Sequence, residues 1–233
     1  TRSLVSTHNR MVERHSIGNS GRYYWKSYDF EETNGRTRRN LFEFPLESRN
    51  FRVEGFEKAG GEVIYSLPNG LQAYVLADAN ENRLDVAPVN IVQDRRRALM
   101  GESEVLNGIS CMGCHTRGMK QLSDQMNEHL QTNRNAFGRR VADLALRLYR
   151  GQEEANRYYR EDRARFKAAT EKLNFTTDDP EPSVIMANRY KFDMTLKQVA
   201  AELGVTAADS DDTRRRVPAA GRPNYGCRAS PAW

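Results

Sequence analysis

The alternation of apolar and polar positions is clearest between residues 60 and 92. One alternating run extends from Glu62 to Leu67 and a second from Leu71 to Ala77. Asn69-Gly70 separates them, and this dipeptide favours a tight hairpin because both residues tolerate positive φ. A further turn at 78–82 leads to a third short run at 83–86. The pattern predicts an antiparallel β-meander.

From Ser123 onwards the apolar positions recur with a helical period. Stripes of apolar residues at i, i+3, i+4 and i+7 predict amphipathic helices up to residue 149, and a long helix from about Glu153 to Leu173. Thr195 and Gln198 form the pattern of a capping box, and Gly204 suits the end of that helix. This half of the chain is therefore predicted to be mainly helical.

The remaining segments carry weaker signals. Residues 1–59 are rich in Arg and Asn with poor periodicity, so we expect irregular segments and one short helix. The predicted organisation has an irregular and β-meander region at 1–105, a helical region at 106–206, and a charged, Pro- and Gly-rich tail at 207–233. The predicted fold class is α+β, with a small antiparallel sheet packed against helices.

Composition narrows the function classes. The chain has 233 residues, 38% of them hydrophobic, with 36 basic and 31 acidic side chains. It is long enough for a substantial core. It contains no apolar run near the roughly 18 residues of a membrane span. The excess of five positive charges is too small to require a nucleic-acid partner. Three cysteines are too few for a disulfide scaffold.

One motif carries specific chemistry. Cys111, Cys114 and His115 form the sequence Cys-x-x-Cys-His, which is the attachment signature of c-type haem. Two thiols three positions apart on a helical turn can add to the two vinyl groups of one haem. The adjacent imidazole can then bind the iron. The motif predicts one covalently attached haem c.

Other readings of this motif remain open. A disulfide oxidoreductase would need a strand before the motif and a helix after it within a βαβ unit, and residues 102–109 form no clean strand pattern. A zinc site would need two more ligands, but the remaining cysteine, Cys227, lies far away in the tail. Two buried thiols without a role are the third alternative.

The motif lies within a wider resemblance. The chain resembles the uncharacterised c-type cytochrome proteins common in Planctomycetes and some other bacteria. The matching stretches are NRMVERH at 9–15, YWKSYDF at 24–30, NLFEFPL at 40–46, GGEVIYSLPNGLQAYVL at 60–76 and NGISCMGCHTRGM at 107–119. The resemblance implies an exported haem protein and supplies no substrate.

Haem attachment also bears on compartment. Maturation of c-type haem takes place outside the bacterial cytoplasm or in an organelle, so we expect a periplasmic or otherwise exported protein. No secretory leader opens the sequence, and we expect any export signal to have been removed or to lie outside it.

The two faces of the iron differ in how well the sequence specifies them. His115 is the expected proximal ligand. His15 is the predicted distal ligand, because it lies far from residue 115 and within a stretch that the resemblance covers. The alternatives are a methionine (Met100, Met186 or Met194) or no protein ligand at all. Three other residues fit less well. Met119 follows His115 closely, His129 lies on an apolar stripe, and His8 lies in a polar stretch.

The predicted function is electron transfer between the haem and a redox protein partner. A haem enzyme or gas sensor of peroxidase-like character is the first alternative, and a haem-bearing structural subunit of a larger assembly is the second. Residues 195–206 resemble half of a helix-turn-helix, but Asp209, Asp211 and Asp212 would stand where phosphates are met. We therefore expect no nucleic-acid partner.

Overall fold

The computed structural model describes residues 10–33, 36–37, 39–94, 103–174, 181–191 and 194–204. The chain divides into two compact units, Thr1–Ile185 and Met186–Trp233. The β-meander and the Cys-x-x-Cys-His motif both fall in the first unit. None of the helices in the described residues is long and apolar enough to cross a membrane.

An antiparallel sheet forms the centre of the first unit. In the described residues it contains five strands in the order β1-β2-β5-β6-β7. Two short two-stranded ribbons, β3–β4 and β8–β9, accompany it. The strands are β1 Met11–Ile17, β2 Arg22–Tyr28, β3 Glu32–Thr33, β4 Arg36–Thr37, β5 Gly60–Ser66, β6 Gln72–Asp78, β7 Arg83–Leu84, β8 Val86–Ala87 and β9 Val105–Leu106.

The predicted meander is confirmed. Strands β5 and β6 pair antiparallel from Gly60–Asp78 to Ser66–Gln72, and β7 pairs with β6 at Leu76–Leu84. At the turn between β5 and β6, Gly70 has a φ of +87° and its N–H donates to the Leu67 carbonyl. The Asn-Gly turn therefore sets the register of the hairpin, as its conformational freedom predicts.

The expectation of irregular structure before residue 60 is wrong for residues 11–28. Strands β1 and β2 pair over their full lengths, from Met11–Tyr28 to Ile17–Arg22, and β2 continues the sheet by pairing with β5. The sequence here lacks the usual alternation of apolar and polar residues, because some side chains on the buried face of the sheet are polar. Ser27 and Asp29 are both buried, so a polar residue does not mark an exposed position in this segment.

Helices follow the sheet, in agreement with the helical period after residue 123. The helices are α1 Ser48–Phe51, α2 Ile109–Cys114, α3 Met126–Thr132, α4 Arg139–Leu148, α5 Gln152–Glu171, α6 Pro182–Lys191 and α7 Leu196–Glu202, with a 3₁₀ turn at Arg134–Ala136. The long helix predicted to reach Leu173 thus ends at Glu171, and Leu173 is exposed.

Helices α3 and α4 pack with the segment before β5. Their core includes the fully buried Leu130 and Ala145, together with Phe56, Leu46 and Tyr28. Tyr149 ends α4 and donates from its hydroxyl to the Pro45 carbonyl at 2.9 Å. This cluster anchors the helical half to one end of the sheet.

A buried carboxylate holds the long helix α5 to the sheet. Asp162 is completely buried and accepts hydrogen bonds from the Trp25 indole at 2.8 Å and from Nε and a second nitrogen of Arg14 at 3.0 and 3.1 Å. The Arg14 guanidinium also lies over the ring of Tyr158. Strands β1 and β2 are thereby joined to a helix that is more than 130 residues away in the chain.

The second unit is described by itself. Helix α7 begins at Thr195 with the predicted capping box, in which the Thr195 hydroxyl and the Gln198 side chain each accept from the other's backbone N–H. Gly204 follows the helix with a φ of +67°, which suits a glycine. Arg189 and Glu202 form an ion pair within this unit.

We predict that Asp162→Ala lowers the free energy of unfolding by about 3–5 kcal/mol, because the buried Arg14 guanidinium loses its counter-charge. Urea denaturation followed by circular dichroism measures the change. Glu161→Ala is the matched control, since Glu161 is exposed on the same helix and its loss should cost less than about 0.5 kcal/mol. Equal stability of the two variants would contradict this role of Asp162.

Candidate functional site

Helix α2 presents the two cysteines of the motif. Gly108 precedes it with a φ of +80°, a conformation that a side chain rarely adopts. The Ser110 hydroxyl accepts from the Leu106 N–H at 3.0 Å, and the Asn107 side chain accepts from the Leu76 N–H at 3.2 Å. These bonds tie the start of the helix to β9 and β6. Cys111 and Cys114 are therefore held at fixed positions beside the sheet.

His115 follows α2 directly and its ring is oriented by the backbone. The Nδ1 atom lies 3.1 Å from the carbonyl oxygen of Gly118. A carbonyl only accepts, so Nδ1 carries the proton and Nε2 is left with its lone pair. Burial lowers the pKa of His115, which favours the neutral imidazole. A histidine that donates one ring N–H to a carbonyl while its other nitrogen stays basic has the usual arrangement of a metal ligand.

All three residues of the motif line one cavity. Its volume is about 280 Å³, close to the lower end of ligand pockets, and the strands β1, β2, β5 and β6 contribute part of its wall. Much of the lining is apolar, and representative apolar residues are Val12, Trp25, Ile64, Leu76, Val92 and Val105. The thiols and the imidazole thus meet an apolar space that is bounded by the sheet.

A charged group of residues interrupts the apolar lining. Arg10 donates to both carboxylate oxygens of Asp29, at 2.6 and 2.7 Å, and lies 3.9 Å from Glu62. The Glu62 side chain is only 12% exposed, and it lies close enough to the Cys111 thiol to raise the pKa of that thiol. Burial alone would raise the pKa of Glu62, but the positive charges near it hold it below its ordinary value; these are His115 whenever its ring is protonated, Arg10 and Lys120. Glu62 therefore brings a negative charge into the cavity.

These residues fit a covalently attached haem. Two thiols stand one helical turn apart at the same apolar cavity, and the imidazole that follows them has its Nδ1 proton engaged. Apolar walls suit the porphyrin, and the cationic side chains Arg10 and Lys120 at the cavity suit an anionic cofactor. The donor set is thus the one that a c-type haem uses.

The alternative readings of the motif fit less well. Burial, and next the negative charge of Glu62, strongly raise the pKa of the Cys111 thiol, whereas a disulfide oxidoreductase needs a reactive thiolate. The strand before the motif, β9, pairs antiparallel with β8 and belongs to no βαβ unit. Across the described residues, no group of three or more His, Cys, Asp and Glu side chains is arranged to hold a metal ion.

The structure does not bring His15 to the cavity. Val12 of β1 lines it, as does Arg10 just before the strand, and because side chains alternate along a strand, His15 points to the other face of the sheet. There His15 is 44% exposed, stacks on Tyr24 at 4.6 Å and lies 3.4 Å from the Glu13 carboxylate. This placement speaks against His15 as the distal ligand.

The other candidate ligands differ in where they lie. Met119 lines the cavity and is buried against Trp25 and Ile64. His129 donates from Nε2 to the Phe42 carbonyl at 2.9 Å and does not line the cavity. Met186 and Met194 are more than half exposed in the second unit. Two candidates, His8 and Met100, lie outside the described residues, and so does the remaining cysteine, Cys227.

Sequence reasoning missed the charged residues of the cavity. Arg10, Asp29 and Glu62 lie in segments whose charges are ordinary for a surface. Only the register of β1, β2 and β5 shows that Val12 stands opposite Ser27 and that Glu62 lies on the same face as Ile64. The sequence does contain one sign that another strand passes close to this segment, namely the two glycines before Glu62. A Cβ on Gly61 would lie 1.9 Å from the Ser27 carbonyl oxygen of the neighbouring strand.

Comparison with known protein families, with curated proteins and with solved structures finds no match to this chain.

We predict that Cys111 in the folded, haem-free chain reacts with iodoacetamide more slowly than free cysteine does at about pH 8.5, because the thiolate is the reactive form. The raised pKa of Cys111 means that its alkylation rate should still be increasing near about pH 10. Peptide mass spectrometry measures the rate at this site. The chain unfolded in urea is the control, and there Cys111 should react at the ordinary rate. Rapid alkylation of the folded chain at neutral pH would contradict the raised pKa.

Proposed function

We propose that the protein is an exported mono-haem c-type cytochrome that exchanges electrons with a protein partner. In this proposal the haem is bonded to Cys111 and Cys114, and His115 is the proximal ligand of the iron. The observation that carries the proposal is the position of all three residues on one largely apolar cavity. The resemblance of residues 9–119 to c-type cytochrome proteins supports it independently.

Each part of the site has a role in this proposal. Haem c, when bound, supplies a reversible one-electron couple. Helix α2 holds both sulfur atoms at the cavity, and the Gly118 carbonyl fixes the orientation and the tautomer of His115. Apolar side chains such as Trp25 and Ile64 exclude water, which reduces the solvent reorganisation that accompanies a change of charge.

The proposal extends to location and partners. Attachment of haem to Cys-x-x-Cys-His implies a periplasmic or otherwise exported protein. A site that only exchanges electrons needs a redox protein partner or a place in a multi-subunit assembly, and it needs no substrate pocket of its own.

A second candidate function is a haem enzyme or a gas sensor. It is favoured by the composition of the cavity, where His115 is the one histidine among the described residues and where Arg10 and Glu62 add polar groups. An iron with a weakly held second face binds small molecules readily. Carbon monoxide binding to the reduced protein distinguishes the two, since ready binding favours the enzyme or sensor and weak binding favours the electron carrier.

We predict that the chain, produced together with the c-type maturation machinery in the bacterial periplasm, carries the added mass of one haem after denaturation. Cys111→Ala and Cys114→Ala should each lose a thioether bond, and the double variant should lose all covalent haem. Mass spectrometry of the denatured chain measures this. If the parent chain has the mass of the polypeptide alone under these conditions, the proposal is wrong.

We predict that His115→Ala changes the absorption spectrum of the haem-bearing protein, because the iron loses its proximal ligand. His15→Ala and His129→Ala are the matched controls and should leave the spectrum unchanged, since His15 lies on the opposite face of the sheet and His129 lies away from the cavity. Absorption spectra of the oxidised and reduced forms make the comparison. A spectral change in His15→Ala as large as that in His115→Ala would restore His15 as a ligand.

A further inference from the structure

We propose that Glu62 lowers the reduction potential of the haem site by placing a fixed negative charge inside the cavity. This inference rests on the proposed function, because it concerns the haem that Cys111, Cys114 and His115 would hold. It adds a residue outside the motif whose role is to tune the cofactor.

The position of Glu62 is the first argument. Glu62 lies at the centre of the sheet on β5, with β2 on one side and β6 on the other. Its side chain is 12% exposed and lines the same cavity as Cys111, the thiol whose pKa its charge raises. A haem bonded to Cys111 would therefore bring the cofactor beside the Glu62 carboxylate.

The charges around Glu62 are the second argument. Arg10 is the nearest cation at 3.9 Å, but its guanidinium is held by two short hydrogen bonds to Asp29. Arg10 is therefore shared between two carboxylates, and Glu62 is the more distant of them. Lys120 lines the same cavity, and its positive charge favours the ionised form of Glu62. Removal of the Glu62 carboxylate would thus take one negative charge away from this wall of the cavity.

The effect on the haem follows from electrostatics. Oxidation of the iron adds one positive charge to the cofactor, and a nearby negative charge stabilises the oxidised form relative to the reduced form. In a largely apolar cavity this interaction is much less screened than at the surface. Net charge and burial around a haem are among the means by which a protein sets its potential. A buried carboxylate at this place therefore shifts the potential downwards.

The test compares reduction potentials of haem-bearing variants by optical redox titration. Glu62→Gln removes the charge and keeps the shape of the side chain, so we expect a higher potential than in the parent protein. Asp85→Asn is the matched control, because it removes the same charge from a side chain that is 79% exposed near the cavity-lining residues Leu84 and Ala87, and its shift should be much smaller. Glu62→Asp keeps the charge and should stay close to the parent potential.

Each outcome bears on a distinct statement. Absence of haem from the parent chain overturns the proposed function and this inference with it. Haem-bearing Glu62→Gln with an unchanged potential overturns the inference alone. A shift in Glu62→Asp equal to that in Glu62→Gln also overturns it, because packing rather than charge would then be the cause. If Glu62→Gln fails to fold, Glu62→Ala replaces it, since it also removes the charge and should also raise the potential; an unchanged potential in haem-bearing Glu62→Ala overturns the inference.

Discussion

The hydrogen-bonded carboxylate of Asp162 is the contact on which the arrangement of sheet and long helix depends. An ionised carboxylate with no solvent exposure is stable only when strong donors surround it, and here the Trp25 indole and the Arg14 guanidinium supply them. Such a charge tolerates few alternative positions of helix α5. The contact therefore specifies where the helix lies on the sheet as well as contributing stability.

The orientation of the candidate proximal ligand follows from the same helix. Phe166 lies one turn beyond Asp162 on α5 and packs so closely on Gly118 that a Cβ there would lie 3.0 Å from the Phe166 ring. Gly118 has a φ of +77°, and its carbonyl meets Nδ1 of His115. The contacts thus run from Asp162 through Phe166 and Gly118 to the imidazole. Trp25 completes the link, because it both donates to Asp162 and lines the cavity.

Local signals explain which parts of this structure could be predicted from the sequence. The hairpin at Asn69-Gly70 and the helices after residue 123 follow from turn chemistry and period, and both are present. The motif at 111–115 is local as well, because its chemistry depends on spacing along one helical turn. Strands β1 and β2 escaped prediction because Arg14, Ser27 and Asp29 occupy positions where an apolar residue would normally mark the covered face. Their partners, such as Asp162, lie too far along the chain for any period to show.

The position of His15 shows that long-range placement is equally hard to predict for a candidate ligand. A ligand for the second face must come from a distant segment, and sequence distance alone says nothing about which face of a strand it occupies. Val12 faces the cavity, and Arg14, on the same face of β1, meets Asp162 of the long helix. His15 is the next residue in the strand and therefore faces the opposite side. The face that sequence could not assign carries Arg10 and Glu62 instead. Burial of these charges costs free energy that an apolar pair would not, so they contribute little to the stability of the sheet and are candidates for a functional role at the cavity.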